Sequence, residues 1–300
     1  MPLGQAAALT LSVKLPEVMH YESAARAGKV SGIHDMRVAA KRMREAVRML
    51  RPAFSREARR KLLPAVEELN DALGEVRDRD VLRQAFKRML QHDPRLADLQ
   101  AVRRRLAKER RSHHARLLSV LDGLKQSGFG RKYARLMAEL EEQEPSPGGA
   151  VVAQFAAEAI GSRLQDVTDN LHAITGRYQC DRFHRQRIRV KRLKYALEPF
   201  LPLLPPEADE LYALVSDLQE LMGLIHDVDV QREVLTVWVA AHGLSEGLRR
   251  ALQQLAWERT GLLTQTRGHL QQMLAQDFEG RLQRALQNLA DAGPVPQVAG

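Results

Sequence analysis

A single cysteine, Cys180, stands in 300 residues. That excludes an internal disulfide and a cysteine-based metal cluster, and it fits a reducing cytoplasm. Aromatic residues amount to 5%, and runs of β-branched residues are scarce. No apolar run reaches the length of a membrane span: the longest candidate, Val234 to Ala241, is far too short. The N-terminus has no early positive region and Lys14 interrupts its weakly apolar start, so no secretory signal is expected. The phosphate-cradling Gly-x-x-x-x-Gly-Lys-[Ser/Thr] loop, a Gly-x-Gly-x-x-Gly after a strand and a Gly-x-Ser-x-Gly elbow are all missing. Nucleotide-dependent and serine-hydrolase chemistry therefore have no support. A cytoplasmic protein without a membrane partner is expected.

What is abundant is Leu, Ala, Arg, Glu and Gln, an all-helical composition. The length suits one large domain or two ordinary ones, with a full core. The formal net charge is +9 and unevenly spread. Residues 1–150 hold 30 Lys and Arg against 19 Asp and Glu, a net of +11; residues 151–300 hold 16 against 18, a net of −2. Such a balance suggests a polyanionic partner: nucleic acid, anionic lipid or another phosphate polymer.

The stretch HDMRVAAKRMREAVRMLR, from His34 to Arg51, has a near-copy from His184 to Phe200, HRQRIRVKRLKYALEPF. Both read His-x-x-Arg-[Val/Ile]-x-x-Lys-Arg-[Met/Leu]-[Arg/Lys]. On a helix, His34, Arg37, Lys41, Arg44 and Arg48 fall on one stripe and Met36, Ala40, Met43, Val47 and Leu50 on the opposite one. In the copy the polar stripe is His184, Arg187, Lys191 and Lys194, and the apolar one Val190, Leu193, Leu197 and Phe200. Like charges at this spacing cost about 0.2–0.5 kcal/mol per pair. A single such stripe would read as a solvated basic face. Two of the same composition and spacing point to a dedicated anion surface.

Along the chain, helices are expected within Gln5–Ala27 (bent or interrupted at Pro16), from an N-cap at Ser31 to Pro52, from Ser55 to about Gly74, and over Asp80–Gln91. Others follow from Asp93-Pro94 to about Leu124 and over Arg131–Glu142. In the second half they are expected near Val152–Tyr178, Arg182–Leu201, Glu207–Ile225, Asp229–His242, Ser245–Leu274 and Gly280–Ala290. The Pro/Gly-rich 144–150 reads as a linker between a first helical half, 1–143, and a second, 151–292, with a disordered tail at 293–300.

The repeat extends beyond the basic stretches. Leu69, Leu73, Gly74, Arg77, Asp78, Asp80 and Val81 match Leu218, Met222, Gly223, His226, Asp227, Asp229 and Val230 at an offset of 149. Glu109 and Arg110 match Glu258 and Arg259. Asp78, Asp80, Asp227 and Asp229 are candidate metal or acid–base carboxylates; the plainer reading has them at helix starts, favoured by the dipole, or bracing the cations. The dipeptides His34-Asp35 and His226-Asp227 are of a kind used by metal-dependent phosphohydrolases. They fall in non-equivalent parts of the repeat, which weighs against a metal site built on both. A histidine heads each basic stripe, placed to donate to a phosphate oxygen in a pH-sensitive contact. His113 and His114 have no such register. Only Tyr195 lies beside a stripe, whereas single-strand nucleic-acid binders interleave rings with cations.

With these motifs in place, HDMRVAAKRMR at 34–44 followed by LGEVRDRDV at 73–81, and HRQRIRVKRLKY at 184–195 followed by MGLIHDVDV at 222–230, the chain resembles the CHAD domain (conserved histidine α-helical domain) family over nearly its whole length. The resemblance implies two helical bundles related by internal pseudosymmetry around a basic central groove or pore that binds inorganic polyphosphate. It implies a binding module, not an enzyme. No cofactor or metal is expected. Carried over, the phosphate contacts are His34, Arg37, Lys41, Arg42, Arg44 and Arg48 with His184, Arg187, Lys191, Arg192 and Lys194; Arg110 and Arg259 are additions from the third repeated element. Polyphosphate is the expected partner, with association to polyphosphate granules. Weak nucleic-acid binding beside it is a further expectation. The alternatives are an RNA or DNA phosphate-backbone binding protein and, ranked below it, a metal-dependent phosphohydrolase.

Overall fold

Ser55 opens the longest helix as its chemistry dictates. Its hydroxyl accepts the Ala58 N–H at 3.1 Å, satisfying one of the donors that a helix start leaves over. The computed structural model describes residues 2–142 and 152–291, and in them this helix is one of thirteen. In order they are α1 Leu3–Ser12, α2 Lys14–His20, α3 Glu22–Arg26, α4 Val30–Met49, α5 Arg56–His92, α6 Leu99–Gln126 and α7 Phe129–Glu141, then α8 Val152–Thr168, α9 His172–Thr175, α10 Cys180–Leu197, α11 Glu207–His242, α12 Glu246–Ala275 and α13 Phe278–Asp291. Among the described residues there is no β-strand, and the fold is all-α as the composition requires. The linker read at 144–150 and the tail read at 293–300 lie outside the described residues.

Two units account for these helices. Within the described residues, the N-terminal unit comprises 2–142 with 242–251, and the C-terminal unit comprises 152–241 with 252–291.

In the N-terminal unit the apolar stripe of α4 forms the core. Met36, Ala40, Met43, Val47 and Leu50 are all at most 2% exposed. Each of the larger side chains contributes about 1.5–3 kcal/mol by leaving water. This face packs against α5, α2 and α3. The buried Asn70 on α5 ties the two long helices: its amide donates to Ala40 O at 2.9 Å on α4 and to Val66 O at 2.8 Å. Helices α5 and α6 run antiparallel, so that Glu75 meets Arg116, Asp80 meets Arg110 and the Arg83 carbonyl meets Arg103. Helix α1 packs on α7, where the buried Tyr133 hydroxyl donates to Leu11 O.

In the C-terminal unit α10 plays the part of α4. Val190, Leu193, Leu197 and Phe200 are buried. The helix packs against α8, and α8 against α13. Antiparallel α11 meets α10 through Gln219 with Lys194 and His226 with His184. Helix α12 meets α11 through Arg259 with Asp229 and through His269, which donates to Leu214 O at 2.9 Å.

Several boundaries differ from the sequence expectation. The first helix is three pieces, α1 to α3, broken at Val13 and Tyr21. Pro16 is not the break: it sits in the first turn of α2, where a missing N–H does no harm. Ser31 is not an N-cap. Gly28 at φ +71° ends α3, Lys29 is the extended residue before α4, and Ser31 already lies in the helix. Gly32 is helical too, because α4 begins against α3: a Cβ there would stand 2.5 Å from that of Ala24. The largest correction concerns α5 and α11. Each was expected as two helices parted near Gly74–Asp80 and Ile225–Asp229, yet each is continuous, 37 and 36 residues long. A mid-helix glycine costs only about 0.5–1 kcal/mol relative to alanine, too little to stop a helix whose other face is buried on both sides of it. Asp78, Asp80, Asp227 and Asp229 are therefore mid-helix residues, out of reach of the helix-start dipole expected to favour them.

Candidate functional site

With their apolar faces buried, α4 and α10 present the opposite stripes away from the core. On α4, His34, Arg42 and Arg48 are exposed, and Arg37, Lys41 and Arg44 are half-buried. On α10, Arg192 is exposed, and His184, Arg187, Lys191 and Lys194 are half-buried. These eleven of the predicted residues thus lie on the sides of α4 and α10 away from their buried apolar stripes.

The α4 row is not purely cationic. Arg37 Nη2 stands 3.3 Å from Asp78 of α5, and Arg42 Nη1 is 3.9 Å from Glu17 of α2. Arg44 donates to Glu45 at 2.8 Å, and Arg48 donates to Glu67 of α5 at 2.7 Å. Apart from Arg44–Glu45, whose side chains are mostly buried, these exposed or half-exposed pairs are each worth about 0–1 kcal/mol. They offset the like-charge repulsion along the helix. Asp78 braces a cation of the row, as one of the sequence readings had it, whereas Glu17 of α2 and Glu67 of α5 are beyond the reach of same-helix spacing. On α10, Lys194 donates to Gln219 at 3.4 Å and lies 5.9 Å from the Tyr212 ring centre.

Arg110 and Arg259, expected among the phosphate contacts, have their guanidiniums on the mid-helix aspartates. Arg110 Nε donates to Asp80 at 2.6 Å, and its Nη2 donates both to Asp80 at 3.2 Å and to Gly28 O at 2.8 Å. It joins α6 to α5 and to the turn that launches α4. His114 adds a bond to Ala25 O at 2.9 Å in the same turn. Arg259 stands 3.3 Å from Asp229 and 5.1 Å from the Tyr178 ring centre. Asp229 also accepts from the Tyr178 hydroxyl and lies 3.6 Å from Cys180 Sγ, at the start of α10. Burial foremost, with the Asp229 charge, pushes both the Tyr178 hydroxyl and the Cys180 thiol above their ordinary values. Cys180 is thus a poor nucleophile, and in both units the aspartate–arginine pair sets where the basic helix begins.

The heads of the two rows carry the residues that sequence reading left out. The ring centres of His184 and His226 are 4.9 Å apart. Burial, then the charges of Arg187 and of His184, push His226 down to about 4. Burial, then Arg187 and Lys191, hold His184 below its ordinary value. In the N-terminal unit the position matching His226 is Arg77. Burial, then the Arg77 charge, and more weakly that of Arg37, lower His34. Arg37 lies over α5 one turn before Arg77, its Nε and Nη2 3.8 Å from where a Gly74 Cβ would be. The signal for Arg77 and His226 was already in the repeat, which aligned them three residues before Asp80 and Asp229.

Among the described residues no three His, Cys, Asp or Glu side chains come together as a metal-ligand set. His34-Asp35 lies on α4 and His226-Asp227 on α11. Among the same residues no helix is long and apolar enough to cross a membrane.

The comparisons agree with this architecture. The CHAD domain family model matches residues 13–236. The chain belongs to the CHAD domain family. It is similar to a solved structure of the CHAD domain from the plant Ricinus communis, with a TM-score of 0.61 and 22% identity over 96% of this chain and 92% of that one. It is also similar to the structure of PptA from Streptomyces chartreusis, with a TM-score of 0.66 and 17% identity over 92% of this chain and 100% of that one. At these identities the likeness is one of fold. A curated relative, uncharacterized protein Rv2226 of Mycobacterium tuberculosis (strain ATCC 25618 / H37Rv), is 25% identical over 232 residues. That match covers 75% of this chain and 44% of the relative, so the chain spans less than half that protein's length.

Proposed function

We propose that this protein is a non-catalytic module that binds inorganic polyphosphate through the cationic rows of α4 and α10. The observation that carries the reading is the construction of each row. A helix buries an apolar face and turns out His, Arg, Lys and Arg at the same spacing, followed by Arg44 on α4 and Lys194 on α10, beside a further cation or imidazole from the next helix. Polyphosphate has about one negative charge per phosphate and no bases to read, which suits cation rows with few rings beside them. Arginine's planar fork engages two oxygens and lysine supplies a point charge. Arg37, Lys41, Arg187 and Lys191 are the principal contacts, assisted by Arg42, Arg44, Arg48, Arg192 and Lys194. Arg110 and Arg259 act as braces. Polyphosphate granules are the cellular setting that fits this reading.

Affinity then comes mainly from displaced counterions and falls linearly with the logarithm of salt concentration. The test is the variant Arg37→Ala, Lys41→Ala, Arg187→Ala, Lys191→Ala, titrated with long-chain polyphosphate over a salt series. By the rule of about one unit of slope per lost phosphate contact, the slope should shrink by roughly four units. The far-ultraviolet circular dichroism should stay that of the parent. Unchanged affinity and slope in a folded variant would remove these residues from the site. Loss of helicity would make them structural.

A further inference from the structure

We propose that Arg77 and His226 complete the head of the anion-binding row in their respective units, and that the head containing His226 takes up more protons as it binds than the one to which Arg77 brings a permanent charge. This rests on the polyphosphate reading above and adds to it how the two rows are regulated.

The geometry begins with the matched positions. In the C-terminal unit, His226 of α11 meets His184 of α10 at 4.9 Å between ring centres. In the N-terminal unit the same place on α5 holds Arg77, one turn after the glycine over which Arg37 lies. Arginine keeps its proton at any accessible pH, whereas imidazole exchanges one near neutrality. The two rows are therefore alike along α4 and α10 and differ in what the neighbouring helix adds to their heads.

The charges around the histidine pair decide its resting state. From α10 come Arg187 and Lys191, with Arg185 and Asp181 also acting on His184. From α11 come Asp227, next in sequence, and Asp229, which opposes the cations. From α12, Arg259 stands on Asp229, as does the Tyr178 hydroxyl from the segment before α10. Burial and two permanent cations outweigh the carboxylate that acts on His226, so both imidazoles rest neutral at pH 7.5. A phosphate chain laid along Arg187 and Lys191 cancels their field and offers oxygens to imidazolium N–H groups. Each imidazole then gains a proton from solvent as the chain binds, and the charge balances within the complex. His34 has the same opportunity beside Arg77, so the N-terminal unit has one titrating group at its row head and the C-terminal unit two.

The test uses the whole chain and long-chain polyphosphate, whose internal phosphates stay ionised throughout and whose titrating ends are few. Calorimetry at pH 7.5 and 5.5, in two buffers of different ionisation enthalpy, gives affinity and protons exchanged. The parent should take up protons, and its affinity should rise by on the order of tenfold over the interval, since each linked proton contributes up to about tenfold per pH unit. His226→Arg should bind more tightly at pH 7.5 and show a smaller pH dependence. Arg77→His should do the reverse, weakening binding at pH 7.5 and steepening the pH dependence. Tight binding with no proton uptake, or exchanges that leave the pH dependence unchanged, would overturn the inference and leave the polyphosphate reading standing. No binding at either pH would remove both.

Discussion

Asp80→Asn should be among the most damaging single substitutions in the N-terminal unit. The Asp80 side chain is 3% exposed and that of Arg110 14%. Their two contacts, at 2.6 and 3.2 Å, leave the guanidinium one further bond, to Gly28 O. Arg83 adds a second cation 4.0 Å from the same carboxylate. An amide at this position turns a donor toward two positive charges and leaves Arg110 without a counterion away from water. Breaking a buried pair from one side costs about 3–5 kcal/mol; the residual exposure of Arg110 argues for the lower end. Replacing both partners, as in Asp80→Leu with Arg110→Met, removes the stranded charge and should recover most of that loss. Asp229→Asn is the internal comparison. That carboxylate is 13% exposed, its arginine 26%, and the contact is a single one at 3.3 Å, so the loss should be smaller. Urea unfolding followed by circular dichroism measures all of these. A change within about 0.5 kcal/mol for Asp80→Asn, or a larger loss for Asp229→Asn, would refute the view of Arg110 as a brace. So would Arg110→Met, in a folded protein, weakening polyphosphate binding as much as Lys41→Ala.

Two glycines should respond oppositely to alanine. Gly32→Ala drives a methyl to 2.5 Å from the Ala24 Cβ and 2.7 Å from its carbonyl carbon. It should destabilise by about 1–3 kcal/mol, seen as a lowered Tm. Gly74→Ala meets nothing closer than 3.8 Å and should be neutral or stabilising by up to about 1 kcal/mol. Acid should weaken the fold before the carboxylates titrate. His34, His184 and His226 are all lowered in the folded chain, so their contribution is complete above the ordinary histidine value. It is lost as pH falls from about 6.5 toward the value near 4 of His226. Urea midpoints should drop across that window, and less so in His226→Leu.

The helical class and the two basic rows were legible because they are periodic: an apolar position every three or four residues leaves little choice about which face is buried. Met43 and Val47, or Val190 and Leu193, could be placed on sight. The continuity of α5 and α11 was not legible, because Gly74 and the paired aspartates look like a break when weighed locally. What carries the helix through is packing against two neighbours at once. Two partners of the row were hidden for a related reason. Glu17 and Glu67 reach the α4 cations from other helices, and no sequence spacing announces them; Asp78 was expected as a brace for the cations, without the arginine it holds. Arg77 and His226 were visible as matched positions of the repeat, and His226 as part of a His-Asp dipeptide, but neither was placed at a row head, since their nearness to His34 and His184 is a tertiary fact.

The most direct test of polyphosphate binding is a calorimetric titration of the whole chain with long-chain polyphosphate at two salt concentrations, beside single-stranded RNA of matched charge. Tight, salt-sensitive binding that clearly favours polyphosphate is expected. Equal or tighter binding of RNA would contradict the reading and make the rows a surface for nucleic-acid backbone.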